Sequence, residues 1–278
     1  MSDSSAEPAS PSPQDPGSGL EPGLRADLQR IAGAPALLVA LDFDGTLAPT
    51  VDDPDAARAL PAARAAVVAL AGLPATRVAV VSGRAIASLE RVAQLPSELL
   101  LVGSHGAELR IDGEESGPDL SAEDLDLLGR LYGAVAGVAT RYPGVRVEEK
   151  PAGCGLHTRT ASPEDAAAVR REALAAVRSL AGGEGIAERY GKDILEFTVR
   201  TADKGTALQV LRDRTAASAV LFVGDDVTDE DGFAVLAGDD LGVKVGAGDT
   251  RATRRVDDPE AVAELLGLLV RYRERIAP

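Results

Sequence analysis

Leu37-Leu38-Val39-Ala40-Leu41 is a continuous apolar run rather than an alternating one, which predicts a strand buried on both faces. The runs at 77–81, 99–102, 219–223 and 241–245 have the same character. Helical or inserted sequence separates each from the next, so together they predict a parallel α/β sheet covered by helices. A short helix is expected ahead of them, from Leu24 to Gly33.

Between residues 108 and 200 the pattern changes to alternation. Ser121 with Asp124 makes a capping box, which predicts a helix running to about Arg141. Residues 145–150 and 156–160 read as a hairpin around Pro151-Ala152-Gly153. A second helix opens at Ser162-Pro163 and stops at Gly182-Gly183, and strands follow at 186–190 and 194–199. This is a small α/β unit inserted into the first. The expected organisation is a catalytic core of 24–107 and 201–278 and an inserted lid of 108–200. Residues 1–23, with five prolines and six serines, are expected to be disordered.

Four segments follow predicted strands, where open α/β sheets bind their ligands. In Asp42-Phe43-Asp44-Gly45-Thr46, two carboxylates two residues apart can hold one hard cation while one stays free to react. A calcium loop would need a preceding helix and a Glu at its end, and neither is present. Ser82-Gly83-Arg84 offers a hydroxyl and loop N–H groups to a phosphoryl oxygen, although Ser-Gly after a strand is also an ordinary turn. Lys204 in Asp203-Lys204-Gly205-Thr206 can neutralise phosphate charge, or be a solvated helix start. Gly224-Asp225-Asp226-Val227-Thr228-Asp229-Glu230 packs like charges so densely that a bound cation, Mg2+, is the economical explanation.

The order of these four elements resembles the haloacid dehalogenase-like superfamily, from Leu37 to the C-terminus. The resemblance implies a Rossmann-like parallel core with an inserted cap. It also implies a phosphatase in which Asp42 attacks phosphorus and Asp44 protonates the leaving alcohol. Ser82 and Lys204 would hold the phosphoryl group. Asp42, Asp225 and the backbone carbonyl of Asp44 would bind Mg2+, with Asp226 and Asp229 behind them.

In the insertion, Arg146, Glu148 and Lys150 share one strand face, and His157 and Arg159 share another. Glu196 and Thr198 point away from Leu195, Phe197 and Val199. The polar face so formed can meet solvent or a polyhydroxyl ligand. Ser104-His105-Gly106-Ala107-Glu108, Glu148-Glu149-Lys150, Leu156-His157-Thr158-Arg159 and Gly191-Lys192-Asp193-Ile194-Leu195-Glu196 look like the trehalose-6-phosphate phosphatases. That likeness implies disaccharide contacts from His105, Glu108, Glu148, Lys150, Arg159 and Glu196, with Gly83 and Arg84 also at the substrate. Thr158 stands where members often carry an aromatic residue. Related phosphatases of sucrose phosphate or glycosyl-phosphoglycerate are alternatives. A catalytically inactive sugar-phosphate-binding domain is a more distant one, since both Asp42 and Asp44 are present.

Composition narrows the partners. A net charge of −15 argues against a nucleic-acid surface and requires local cations for an anionic substrate. One cysteine, Cys154, excludes an intrachain disulfide framework. No apolar run is long enough to span a bilayer and no signal peptide is evident, so a cytoplasmic monomer acting on a small-molecule sugar phosphate is expected. Aromatic residues make up 3% of the chain with no Trp, so Ala, Val and Leu must build the core.

Overall fold

The computed structural model describes residues 19–117, 120–180, 185–191, 193–199 and 203–276. Helix α1 (Pro22–Ala32) leads into strand β1 (Leu37–Leu41), α2 (Pro61–Ala71), β2 (Thr76–Val81), α3 (Ile86–Ala93) and β3 (Leu100–Gly103). Two short strands follow, β4 (Glu108–Ile111) and β5 (Glu114–Ser116), then α4 (Ala122–Ala139), β6 (Arg146–Lys150), β7 (Gly153–His157), α5 (Pro163–Leu180), β8 (Ala187–Gly191) and β9 (Ile194–Thr198). The chain returns through α6 (Lys204–Thr215), β10 (Ala219–Gly224), α7 (Asp229–Ala234), β11 (Leu241–Val245), β12 (Arg254–Val256) and α8 (Pro259–Ile276).

Eight strands form one sheet in the order β12-β11-β10-β1-β2-β3-β4-β5, with β1 parallel to both β10 and β2. Alternate residues of β1 serve two cores. Leu37, Val39 and Leu41 pack with α1, α2, α3 and α8, while Leu38 and Ala40 pack with α6 and α7. This two-sided burial is why the run is apolar throughout, and both cores are built mainly of Leu, Val and Ala. Register then aligns the strand ends. Leu41 lies opposite Val223 and Val80, so Asp42, Ser82 and the Gly224-Asp225 step emerge at one edge.

The second sheet, β6-β7-β9-β8, is antiparallel. Its apolar face, with Cys154, Leu156, Leu195 and Phe197, packs on α4 and α5. The Ser121–Asp124 capping box is formed.

Three sequence expectations are corrected. Residues 108–116, assigned to the insertion, are core-sheet strands: β4 pairs antiparallel with β3, and β5 with β4. Their partly exposed edge pattern reads like lid sequence, and only the pairing with β3 places them. Leu20, assigned to the disordered N-terminus, is 5% exposed within the core and α1 begins at Pro22; residues 1–18 lie outside the described residues. Strand β7 starts at Gly153 rather than 156, because Pro151-Ala152 alone makes the turn. It ends at His157, so Arg159 falls beyond the strand instead of sharing its face. The helix stop at Gly182-Gly183, Lys192 and the segment 200–202 lie outside the described residues.

Candidate active site

Asp42 leaves β1 with its N–H donating to Val223 O (2.9 Å), and its side chain is almost fully buried. The next residues wind tightly, Leu47 and Ala48 N–H both donating to Phe43 O. Lys204 opens α6, whose first turn is capped by Asp203. Its Nζ is 2.6 Å from Asp42 Oδ1 and 2.7 Å from Asp229 Oδ1, with the side chain 2% exposed. One ammonium therefore serves a group of three carboxylates, since oxygens of Asp42, Asp225 and Asp229 lie within 4.8 Å of one another.

The titration directions follow from that imbalance. Burial pushes Asp42 well above the carboxylate range; Lys204 opposes this, but Asp229 and Asp225 add to it. Burial, then Asp229 and Asp226, push Asp225 up to about 6 against Lys204. Burial alone would lower Lys204, yet Asp42 and Asp229 outweigh it and hold the ammonium above its ordinary value. Asp225 Oδ1 is also buried with no hydrogen-bond partner. Clustered hard oxygens, excess negative charge and an orphaned carboxylate oxygen fit a divalent cation of the Mg2+ type.

The cluster differs from the expected ligand set. Asp229, expected behind the ligands, is fully buried, and its carboxylate is grouped with those of Asp42 and Asp225. Asp226 is exposed, and its carboxylate accepts from Val227 N–H (2.7 Å). The Asp44 carboxylate is held by Arg84 through two bonds, Nε to Oδ2 at 2.5 Å and NH2 to Oδ1 at 2.7 Å. Arg84 thus grips the other loop carboxylate, with its guanidinium 5.9 Å from the Phe43 ring centre.

Ser82 is 1% exposed at the end of β2, and its Oγ accepts from Arg84 N–H (3.1 Å). A Cβ at Gly83 would lie 2.4 Å from the His105 ring, so any side chain there would have to displace His105. The Gly83 carbonyl accepts from Lys150 Nζ (3.2 Å), which also pairs with Glu196. His105 sits in the left-handed region at φ 57° and its Nε2 is 3.1 Å from Glu196 Oε2. Burial lowers His105 below its ordinary value despite Glu196. Burial would raise Glu196, but His105 and Lys150 outweigh it and hold the carboxyl at about 2.

Lys150, Glu196, His105 and Gly83 thus meet between the two sheets. Three other expected sugar contacts are engaged elsewhere. Glu148 pairs with His157 (2.8 Å), which lowers its pKa. Glu108 accepts from Ser104 Oγ (2.6 Å) and Ile86 N–H (3.3 Å), bracing the start of α3. Arg159 donates to the Asp52 and Val51 carbonyls (2.7 and 3.2 Å), joining the small sheet's margin to the loop after Asp42. Thr158 is buried and accepts from Arg170 (2.6 Å) under α5, so the expected aromatic position faces inward.

Two charged residues escaped the sequence reading. Arg189 faces Glu196 across β8 and β9 and reaches Asp231 (3.4 Å). Lys244 is buried in β11 and its Nζ donates to the Asp225 carbonyl. A lysine inside the apolar run Leu241-Gly242-Val243-Lys244-Val245 was the available signal.

The family model for trehalose-phosphatase matches residues 40–260, most of the chain and every residue of this cluster. The chain belongs to the trehalose-phosphatase family. A trehalose-phosphate phosphatase of Mycobacterium avium is 34% identical over 252 residues, covering 85% of this chain and 63% of that protein. One of Mycobacterium tuberculosis is 33% identical over 253 residues, covering 87% and 62%. The chain therefore spans less than two thirds of these curated relatives. Among solved structures, a trehalose-6-phosphate phosphatase related protein is 26% identical with a TM-score of 0.72, covering 86% of this chain and 99% of that one. The C-terminal domain of the Candida albicans trehalose-6-phosphate phosphatase shares the fold at 22% identity and a TM-score of 0.76, covering 89% and 96%. A haloacid dehalogenase-like hydrolase from Bacteroides thetaiotaomicron shares it too, at 18% identity and a TM-score of 0.59, covering 84% and 98%. Among the described residues no helix is long and apolar enough to cross a membrane.

Proposed function

We propose that this member of the trehalose-phosphatase family hydrolyses trehalose 6-phosphate to trehalose and phosphate through an aspartyl-phosphate on Asp42. The observation that carries the reading is the buried Asp42 carboxylate, within bonding distance of Lys204 and grouped with Asp225 and Asp229 at one sheet edge. An Asp42 oxygen attacks phosphorus as the bond from phosphorus to the sugar oxygen breaks, and Asp44 delivers a proton to that oxygen. Asp44 then takes a proton from water, whose oxygen attacks phosphorus and releases Asp42 and inorganic phosphate. Lys204 and Ser82 hold the phosphoryl oxygens in line. Asp42, Asp225, Asp229 and the Asp44 carbonyl would hold Mg2+, which supplies positive charge against the phosphoryl oxygens.

The four-stranded sheet acts as the lid. Lys150, Glu196 and His105 present donors and acceptors to the sugar beside the phosphate loop, and closure excludes water. Arg84 leaves Asp44 for the substrate as the phosphate enters.

Phosphate release from a panel of trehalose 6-phosphate, sucrose phosphate, a glycosyl-phosphoglycerate and p-nitrophenyl phosphate tests the proposal, with Mg2+ and then with excess chelator. Mg2+-dependent preference for trehalose 6-phosphate is expected. Preference for another sugar would overturn the substrate and keep the Asp42 chemistry. No release from any of them would overturn both.

A further inference from the structure

Lys244 is 5% exposed on a strand whose residues are all buried, and it forms no ion pair among the described residues. An ammonium in such a place is costly unless something specific compensates it. Strand register sets Lys244 opposite Gly224, the last residue of β10, so its side chain runs along the step into Asp225. There Nζ donates to the Asp225 main-chain carbonyl. On the other side, Arg255 lies across from it on β12 and is spent on the carbonyls of Gly246 and Gly248. The compensation for Lys244 shown among the described residues is thus the Asp225 carbonyl that it holds.

Asp225 needs such an anchor. Its Oδ1 has no hydrogen-bond partner, and its carboxylate is pressed against Gly45, where a Cβ would lie 2.1 Å from Oδ2. Asp229 is fixed differently, by Lys204 and by the Asp226 N–H (2.9 Å). Asp42 is fixed by Lys204 and by its position at the end of β1. Among the described residues, Asp225 is the only one of the three whose main chain is tied down by a charged side chain from a neighbouring strand.

We propose that Lys244 is a positioning residue for the cation site: it locks the Asp225 backbone from the adjacent strand and so aims the Asp225 carboxylate at a divalent cation. The inference rests on the cation reading of the Asp42, Asp225 and Asp229 cluster. Lys244 touches neither cation nor substrate and acts only through Asp225. Groups that orient metal ligands in this way change affinity about 10–100-fold when removed.

The test is titration of the whole chain with Mg2+ alone, by calorimetry, alongside melting curves with and without Mg2+. Lys244→Met keeps length and apolar bulk while removing the donor, and is expected to bind Mg2+ at least about tenfold more weakly. Lys244→Arg keeps charge and donors and is expected to restore most of the affinity. If Lys244→Met does not fold, Lys244→Leu, which also lacks the donor, is read in the same way. A role in stability alone would lower the metal-free melting temperature and leave the Mg2+ dissociation constant unchanged, which overturns the proposal. Tighter binding overturns it too, because Lys244 would then act only as a repelling charge. If the unmutated chain takes up no Mg2+, the cation reading fails and this inference falls with it. Uptake by the unmutated chain with equal affinity in Lys244→Met sinks the inference alone.

Discussion

Replacing Gly45 by alanine asks whether the loop after β1 fixes the position of Asp225. Gly45 has φ +81°, and a Cβ there would lie 2.1 Å from Asp225 Oδ2, where real contacts do not fall below 3.0 Å. Going from 2.1 to 3.0 Å, the carboxylate must retreat by about 0.9 Å, and a misplacement on that scale costs roughly 10²-fold in rate. Alanine in the left-handed region adds roughly 1–2 kcal/mol of strain, which lowers the melting temperature by roughly 2–8 °C for a chain of this size. Gly238→Ala separates the two effects. Gly238 has φ +61° and nothing within 4 Å of an added Cβ, so it carries the backbone strain without the collision. Both variants would be assayed for phosphate release at saturating Mg2+ and 25 °C, where both remain folded, and melted separately. Gly45→Ala is expected to lose turnover about 100-fold while Gly238→Ala stays near the unmutated rate. Equal turnover in the two variants would refute the idea that this contact seats Asp225.

Asp42→Asn should lower turnover by more than about 10⁴-fold while the melting temperature stays close to that of the unmutated chain; residual activity near normal would end the covalent mechanism. Glu196→Ala should raise KM for trehalose 6-phosphate roughly 10-fold or more and leave p-nitrophenyl phosphate nearly untouched, whereas equal losses on both would remove Glu196 from the sugar site. Chelation should stop phosphate release and added Mg2+ restore it, and chelator-insensitive turnover would exclude the cation. Glu196 titrates at about 2 in the folded chain against about 4.3 when unfolded, so its stabilisation is complete above pH 4.3 and is lost as pH falls toward 2. Melting temperature should therefore drop more steeply over that window in the unmutated chain than in Glu196→Gln, and parallel curves would show that the His105 and Lys150 contacts add nothing.

How much of this was legible depended on what each segment is buried against. Strands β1 and β11 were readable to the residue because burial on both faces leaves an uninterrupted apolar run. Strands β4 and β5 were not, since Glu108–Ile111 is only partly buried and Glu114–Ser116 is exposed, and their placement comes from pairing with β3. At the site, Asp42 and Lys204 were visible because their motifs follow or begin predicted elements. The burial of Asp229 was not legible, because spacing in a loop does not say which carboxylate turns inward; the buried bond to Lys204 does. Arg159 was misplaced by a strand end misjudged by a few residues, which is enough to send a long side chain to another loop. Lys244 carried a signal, a charge inside an apolar run, but its meaning required the neighbouring strand.

The strand order also dictates when the site can exist during synthesis. Strand β1, which leads into Asp42, is flanked by β2 on one side and by β10 on the other. Its β10 neighbour begins at Ala219, after the whole small antiparallel sheet has been made. The small sheet joins strands close in sequence and can close early, whereas the central sheet waits for the last third of the chain. Arg273 completes the delay. From α8 it donates to the carbonyls of Ala32, Ala34, Pro74 and Ala75, tying the starts of β1 and β2 only once α8 has been made. Asp42 thus precedes most of the fold in sequence and is enclosed late, and a chain truncated before α8 would keep its small antiparallel sheet and lose the framework that seats the Asp42 cluster.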